Sequence, residues 1–193
     1  FLQLLHHGVE SRRHAADFGD ARHVLDASLR HKRRVLVAAV LDHWVVPGGL
    51  GVAGRSGLFA LLVGATPSEI AFVASTSEAE NLVVRALGLD HRRDGNVVTD
   101  GLHFEGALMH LEVLRQRGLE VRVVRPTADA RVRLEDLDAA IDARTRLVEV
   151  TATAMYNGFQ HDLAAIARLA HARGALVYAD IVHAAGAEPL DLP

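Results

Sequence analysis

From residue 69 onward, short apolar runs rich in β-branched side chains alternate with stretches whose apolar residues recur at helical spacing. The runs fall at residues 70–74, 96–99, 120–124, 147–152 and 175–180, and the helical stretches near 78–87, 105–117, 134–143 and 162–173. A run that stays apolar without alternating is what a strand covered on both faces looks like. A helix between two such runs supplies the crossover that parallel pairing needs. The pattern therefore predicts an α/β fold, a mainly parallel sheet with helices on both faces. Helix ends agree with it. Ala164, Ile166, Ala167, Leu169 and Ala170 make one apolar face, and Gly174 follows as a stop; Leu111 and Leu114 precede Gly118 and the strand at Val121 in the same way.

Upstream, residues 21–44 read as one long helix, Pro47-Gly-Gly-Leu-Gly-Val-Ala-Gly54 as a glycine-rich loop and 56–63 as a short helix. The loop invites a phosphate-cradle reading, yet it lacks the Gly-Lys-Ser/Thr of a P-loop and follows a helix where a dinucleotide fingerprint follows a strand. A connector is the alternative. Half of the 193 residues are hydrophobic, enough for a core, which excludes a disordered chain. A net charge of −3 gives no reason to expect nucleic acid as a partner. With no cysteine, the chain offers no disulfide, thiolate metal ligand or catalytic thiol. Charged residues or histidine interrupt every long apolar run, and Phe1-Leu-Gln-Leu-Leu-His-His lacks the features of a signal peptide, so no membrane association and a cytoplasmic location are expected. The twelve histidines include no His-Glu-x-x-His and no tight ligand cluster, so no metal is expected; no Gly-x-Ser-x-Gly elbow supports a serine hydrolase. Phe1 in place of Met suggests a fragment or a processed chain.

Three strand ends carry residues capable of chemistry. In Ala74-Ser75-Thr76-Ser77-Glu78-Ala79-Glu80 hydroxyls sit where a strand gives way to a helix, a place where free N–H groups and the helix dipole favour an anion. A capping box, Ser75 with Glu78 or Ser77 with Glu80, fits the same letters. In Asn96-Val-Val-Thr-Asp100-Gly-Leu-His103 an imidazole lies just past a strand, placed either to stack on a flat cofactor or to cap the turn. In Gly174-Ala-Leu-Val-Tyr-Ala-Asp180-Ile-Val-His183 a buried run ends in one carboxylate, with a histidine three residues later. A carboxylate facing a pyridine nitrogen keeps that nitrogen protonated, and the alternative is an acid in a solvated loop.

Taken in order, strand–Ser/Thr–helix, strand–His–helix and strand–Asp-x-x-His along one parallel sheet resemble the class V aminotransferase family of fold-type I pyridoxal phosphate (PLP) enzymes. That family includes cysteine desulfurases, selenocysteine lyases, kynureninases and isopenicillin N epimerase-like proteins. Thr145-Arg146-Leu147-Val148 and the run from Asn157-Gly158 through Asp162 to Asp180 are similar to family segments. The resemblance covers about Pro67 to Pro193 and extends only loosely upstream. It implies an N-terminal helical arm and glycine-rich loop over 1–66 and part of a PLP-binding large domain over 67–193, of the aspartate aminotransferase-like kind and incomplete. It implies that Thr76 and Ser77 hold the phosphate, that His103 stacks on the ring, and that Asp180 pairs with the pyridine nitrogen. His183 stands where desulfurases usually place a glutamine, which is similar to the kynureninase and isopenicillin N epimerase branches. An amino-acid substrate, reaction through an α-carbanion and a homodimer are further implications.

Two departures from the family stand out. Met155 occupies the place, three residues before Gly158, where the family commonly has an asparagine, and Asn157 is the candidate substitute. The Schiff-base lysine is missing: the only lysine is Lys32, in the basic cluster Arg30-His-Lys-Arg-Arg34, and the family's lysine would be expected beyond Pro193. The cluster reads as a solvated helix face or, less well, a nucleic-acid patch. Beside the PLP-enzyme reading stand two others, a non-catalytic relative acting as a binding or structural partner, and an unrelated nucleotide-binding α/β domain.

Overall fold

A computed structural model describes residues 35–38, 52–73, 75–91 and 93–190. Its centre is a five-stranded sheet in which every pairing is parallel. The strands are β1 (Val35–Ala38), β2 (Asn96–Asp100), β3 (Glu120–Val124), β4 (Thr145–Thr151) and β5 (Leu176–Asp180), in the spatial order β1-β5-β4-β2-β3. The helices are α1 (Val52–Leu62), α2 (Thr76–Ala86), α3 (Glu105–Gln116), α4 (Leu134–Ala140) and α5 (Leu163–Ala172). The expected α/β sheet with crossover helices is the observed one.

The two faces follow from the alternation of side chains along each strand. Val97 of β2, Leu147 of β4 and Tyr178 of β5 look to one side, where α2 and α3 cover them with Val83, Val84, Leu111 and Leu114. Val98, Val148, Val150 and Val177 look to the other, against Leu137 of α4 and Ile166, Ala167 and Ala170 of α5. A third cluster joins Phe59 and Val63, from α1 and the residue after it, to Ala152, Ala179, Ile181 and Ala184 at the carboxyl ends of β4 and β5. Helix punctuation matches the sequence. Gly118 and Gly174 adopt φ of 98° and 80° just past α3 and α5, the left-handed backbone that glycine takes without a Cβ clash.

Strand order places a switch point at one crevice. The chain leaves β2 toward β3 on one side, whereas it leaves β4 toward β5 on the other, so the loops after β2 and β4 part company. Open parallel sheets bind ligands outside the carboxyl ends of their strands at such a divergence.

Two expectations are corrected. Residues 21–44 do not form one helix, because Val35–Ala38 is strand β1, paired in parallel with β5. The run Val-Leu-Val-Ala is continuously apolar with two β-branched valines, and such a run suits a buried strand as readily as a buried helix. Residues 70–73 are irregular rather than extended in the sheet. No neighbouring strand offers them a ladder among the described residues, and a run of β-formers without one does not make a strand. The upper part of the glycine-rich loop and Lys32 lie outside the described residues, while the loop's last residues, from Val52, already belong to α1.

Candidate functional site

At the carboxyl edge of the sheet two acids end their strands by the same device. Asp100, the last residue of β2, accepts the Leu102 N–H on Oδ1 at 2.8 Å; Asp180, the last of β5, accepts the Val182 N–H on Oδ1 at 2.9 Å. Each carboxylate thus closes a turn with one oxygen and keeps the other for something else. The acids face opposite sides of the sheet. Asp180 shares a face with Tyr178 and with Thr151, its neighbour in register, whereas Asp100 lies one residue out of phase with Thr99 and Val97. Both are buried, Asp100 fully and Asp180 to 7 % exposure.

His161, in the segment between β4 and α5, brings Nε2 to 3.1 Å from Oδ2 of Asp100, and both side chains are buried. Its ring meets Phe159 edge-on, with centroids 4.9 Å apart. His103 follows β2 by three residues. Its Nδ1 accepts the Phe104 N–H at 2.7 Å, so the imidazole does cap its own turn, and that bond leaves Nε2 as the nitrogen that carries the proton in the neutral ring. Nε2 lies 3.7 Å from Oε1 of Glu149 and has no hydrogen-bond partner. Burial holds the His103 imidazole below its ordinary value; Asp180 and Asp100 oppose that shift and His161 adds to it.

The anion-binding geometry lies beside β5. Ser75 caps α2, its hydroxyl accepting the Glu78 N–H at 3.2 Å, so one half of the expected capping box is present. Glu80, the partner in the other possible box, turns instead to His110 of α3, with Oε1 against Nδ1. Thr76 and Ser77 occupy the first turn of this eleven-residue helix, Thr76 half-buried and Ser77 exposed. The Tyr178 hydroxyl donates to the Thr76 carbonyl at 3.5 Å, which ties the mouth of α2 to the strand that ends at Asp180.

Thr76, Ser77, Asp180 and His103 therefore gather on one edge of the sheet, the first three flanking the end of β5. His103 is 1 % exposed, so its ring is buried beneath the surface of that edge. His183 stands apart, exposed in the turn after Asp180 and without a hydrogen bond to that acid. Met155 is half-exposed. Asn157 does not replace the missing asparagine: its amide donates to the Ala130 carbonyl at 2.7 Å and accepts the Phe159 N–H at 3.0 Å, so both ends hold the local loop.

Residues that the sequence reading passed over complete the picture. Glu149 sits in the middle of β4, fully buried, among Glu80, Asp180 and His103. Burial is the largest cause that drives its carboxyl well above the usual carboxylate range, and the neighbouring charges of Glu80 and Asp180 push the same way. Burial also raises Glu80, against the lowering influence of His110. The signal for Glu149 was available as a single carboxylate inside Leu147-Val-Glu-Val, an otherwise apolar buried run.

Comparisons with known proteins agree with this architecture. The model of the family described as aminotransferase class-V matches residues 54–193. The cysteine desulfurase IscS of Proteus mirabilis is 30 % identical over 132 residues, which are 68 % of this chain and 33 % of that protein. The cysteine desulfurase IscS of Escherichia coli is likewise 30 % identical over 132 residues, with the same shares. Among solved structures, one described as SspA in complex with cysteine superposes with a TM-score of 0.68 at 19 % identity, covering 88 % of this chain and 49 % of that one. A NifS-like protein superposes with a TM-score of 0.62 at 20 % identity, covering 89 % and 47 %. The chain spans about a third of the length of these curated relatives and about half of the solved chains.

Proposed function

The chain belongs to the class V aminotransferase family, and on that footing we propose that it forms part of a PLP-dependent enzyme acting on an amino acid through an α-carbanion. One observation carries the reading. A buried carboxylate, Asp180, ends a strand with one oxygen uncommitted, beside a helix N-terminus furnished with Thr76 and Ser77. PLP is a flat ring with a phosphate at one end and a basic pyridine nitrogen, and these donors suit its two polar ends.

When bound, PLP would serve as an electron sink for the carbanion. The chain's own residues do the rest. The N–H groups and hydroxyls at the mouth of α2 would bind the phosphate, where the helix dipole favours negative charge. Asp180, locked by its turn, would hold a proton on the pyridine nitrogen with its free oxygen. His103 lies buried behind the site and would back the ring from there. His183 lies in the exposed turn beyond Asp180 and makes no hydrogen bond to that acid. Met155 neither donates nor strongly accepts, so the phenolic side of the ring would depend on other groups. The described residues include no lysine that could hold PLP as a Schiff base.

Lyase, desulfurase, epimerase and transaminase chemistry share the carbanion. Cysteine desulfurase is the activity named for the matched relatives. The division into an arm over 1–66 and a partial PLP domain over 67–193, a cytoplasmic location and a homodimer belong to the same proposal. The described residues contain no helix long and apolar enough to cross a membrane. Exposed Met109 and Val113 on α3 offer an apolar surface for a second copy.

The test is addition of PLP to the intact protein. A new absorbance band near the visible edge, fixed to the protein by borohydride, is expected. A protein that gives neither band nor fixation belongs to the rival class, a relative that kept the fold without the chemistry. The absence of the asparagine at Met155 is the observation in favour of that rival.

A further inference from the structure

Glu149 takes no part in holding the cofactor. Glu149 is fully buried at the centre of the sheet, on the face covered by α2 and α3, and neither of its oxygens has a hydrogen-bond partner. A carboxylate left ionised and unpaired in such a place is among the most unfavourable arrangements a fold can contain, and the group takes up a proton instead. The groups around it explain where its bonds go. From α2 comes Glu80, only 4 % exposed, which pairs with His110 of α3. From β5 come Asp180 and the hydroxyl-bearing Tyr178, Glu149's partner in register. From the loop after β2 comes His103, its Nε2 unpartnered and 3.7 Å away. Asp100 also acts on His103, from the opposite side of the sheet.

We propose that Glu149 is a positioning residue for His103: as the neutral acid it accepts from the His103 Nε2–H with one oxygen and donates its own proton to Glu80, whose charge is balanced by His110. The arrangement satisfies the two orphaned oxygens and the orphaned ring nitrogen together. It also fixes the tautomer. Nδ1 is already an acceptor for the Phe104 N–H, and an acceptor at Nε2 leaves the neutral Nε2–H ring as the one form that fits both neighbours. With Glu149 uncharged, no further repulsion is added to that between Asp180 and Glu80, whose partner is His110. The polar chain runs from half-buried His110, 19 % exposed, through Glu80 and Glu149 to His103 behind the cofactor position. The effect on cofactor binding rests on the proposed function above; the protonation of Glu149 does not.

The sign of the pH dependence follows from the raised proton affinity of Glu149. Its contribution to stability is complete below the ordinary value of 4.5 and is lost as pH rises through the higher folded-state value. Glu149→Gln keeps the shape, an acceptor and a donor, and removes the titration.

Infrared spectra of the intact protein without added PLP decide the matter. A protonated-carboxyl C=O band is expected at neutral pH in the wild type, lost in Glu149→Gln and retained in Glu80→Gln, a second variant that assigns the proton even if the first does not fold. Nitrogen-15 histidine spectra should show His103 as the Nε2–H tautomer in the wild type and in Glu149→Gln. PLP titration should find Glu149→Leu weaker by about fivefold to tenfold and Glu149→Gln within about twofold. Absence of the carboxyl band at neutral pH, or its loss in Glu80→Gln with retention in Glu149→Gln, overturns the proposal. A protein that shows the band and binds no PLP leaves Glu149 as assigned and removes the PLP reading instead.

Discussion

Asp180→Asn separates a functional acid from a structural one, because the two roles move different quantities. Asparagine is nearly isosteric, and its Oδ1 still accepts the Val182 N–H that Asp180 holds at 2.9 Å, so the turn survives. What disappears is the charge on a side chain only 7 % exposed. A hydrogen bond to a charged partner contributes about 1.5–3 kcal/mol, which corresponds to about 10- to 150-fold in affinity. PLP binding to the intact variant, followed by fluorescence or equilibrium dialysis, should weaken by that factor. The protein without PLP should move the other way. The charge of Asp180 opposes ionisation of Glu80, so its neutralisation relieves repulsion and the thermal midpoint should hold or rise. Weaker PLP binding together with unchanged or greater stability marks an acid kept for its ligand. If the variant binds PLP within about threefold of the wild type, Asp180 does not face the pyridine nitrogen and the central assignment is refuted.

Three further outcomes test the fold. Gly174→Ala places a Cβ at φ 80° with open space around it, so the expected loss is the left-handed backbone strain of about 1–2 kcal/mol, read by denaturant titration. Leu147→Ala empties a fully buried position in the α2/α3 face and should cost about 2–5 kcal/mol by the same measurement. The third is acid sensitivity. Since burial depresses His103, its contribution to stability is present above the ordinary imidazole value of 6.5 and is lost as pH falls through the folded-state value; His103→Gln should flatten that acid limb of the melting profile.

The sequence made the fold legible where two periodicities alternated cleanly. β2, β3, β4 and β5 and the helices between them lie within a few residues of expectation because apolar runs, helical spacing and glycine stops all agreed there. It misled where a run admitted two periods. Val-Leu-Val-Ala at 35–38 fits a buried helix or a buried strand, and only the free edge of β5 decides between them. Residues 70–73 show the converse, β-formers that found no neighbour. In the site, Asp180, Thr76 and Ser77 could be placed because a strand end and a helix start are local features. Glu149 and the Glu80–His110 pair could not be tied together, because they come from β4, α2 and α3 and meet only through packing.

The matched turns after β2 and β5 have an entropic consequence. With Oδ1 of Asp100 and Asp180 each tied to a backbone N–H two residues on, neither side chain is free to change rotamer. A ligand that meets Oδ2 therefore finds it already aimed, and association is spared the loss of about 0.5–1.5 kcal/mol that immobilising a free side chain carries. The aim is written into chain length as well as chemistry. A glutamate at position 180 would be one methylene too long to close the same turn, and would have to surrender its bearing before it could offer a charge.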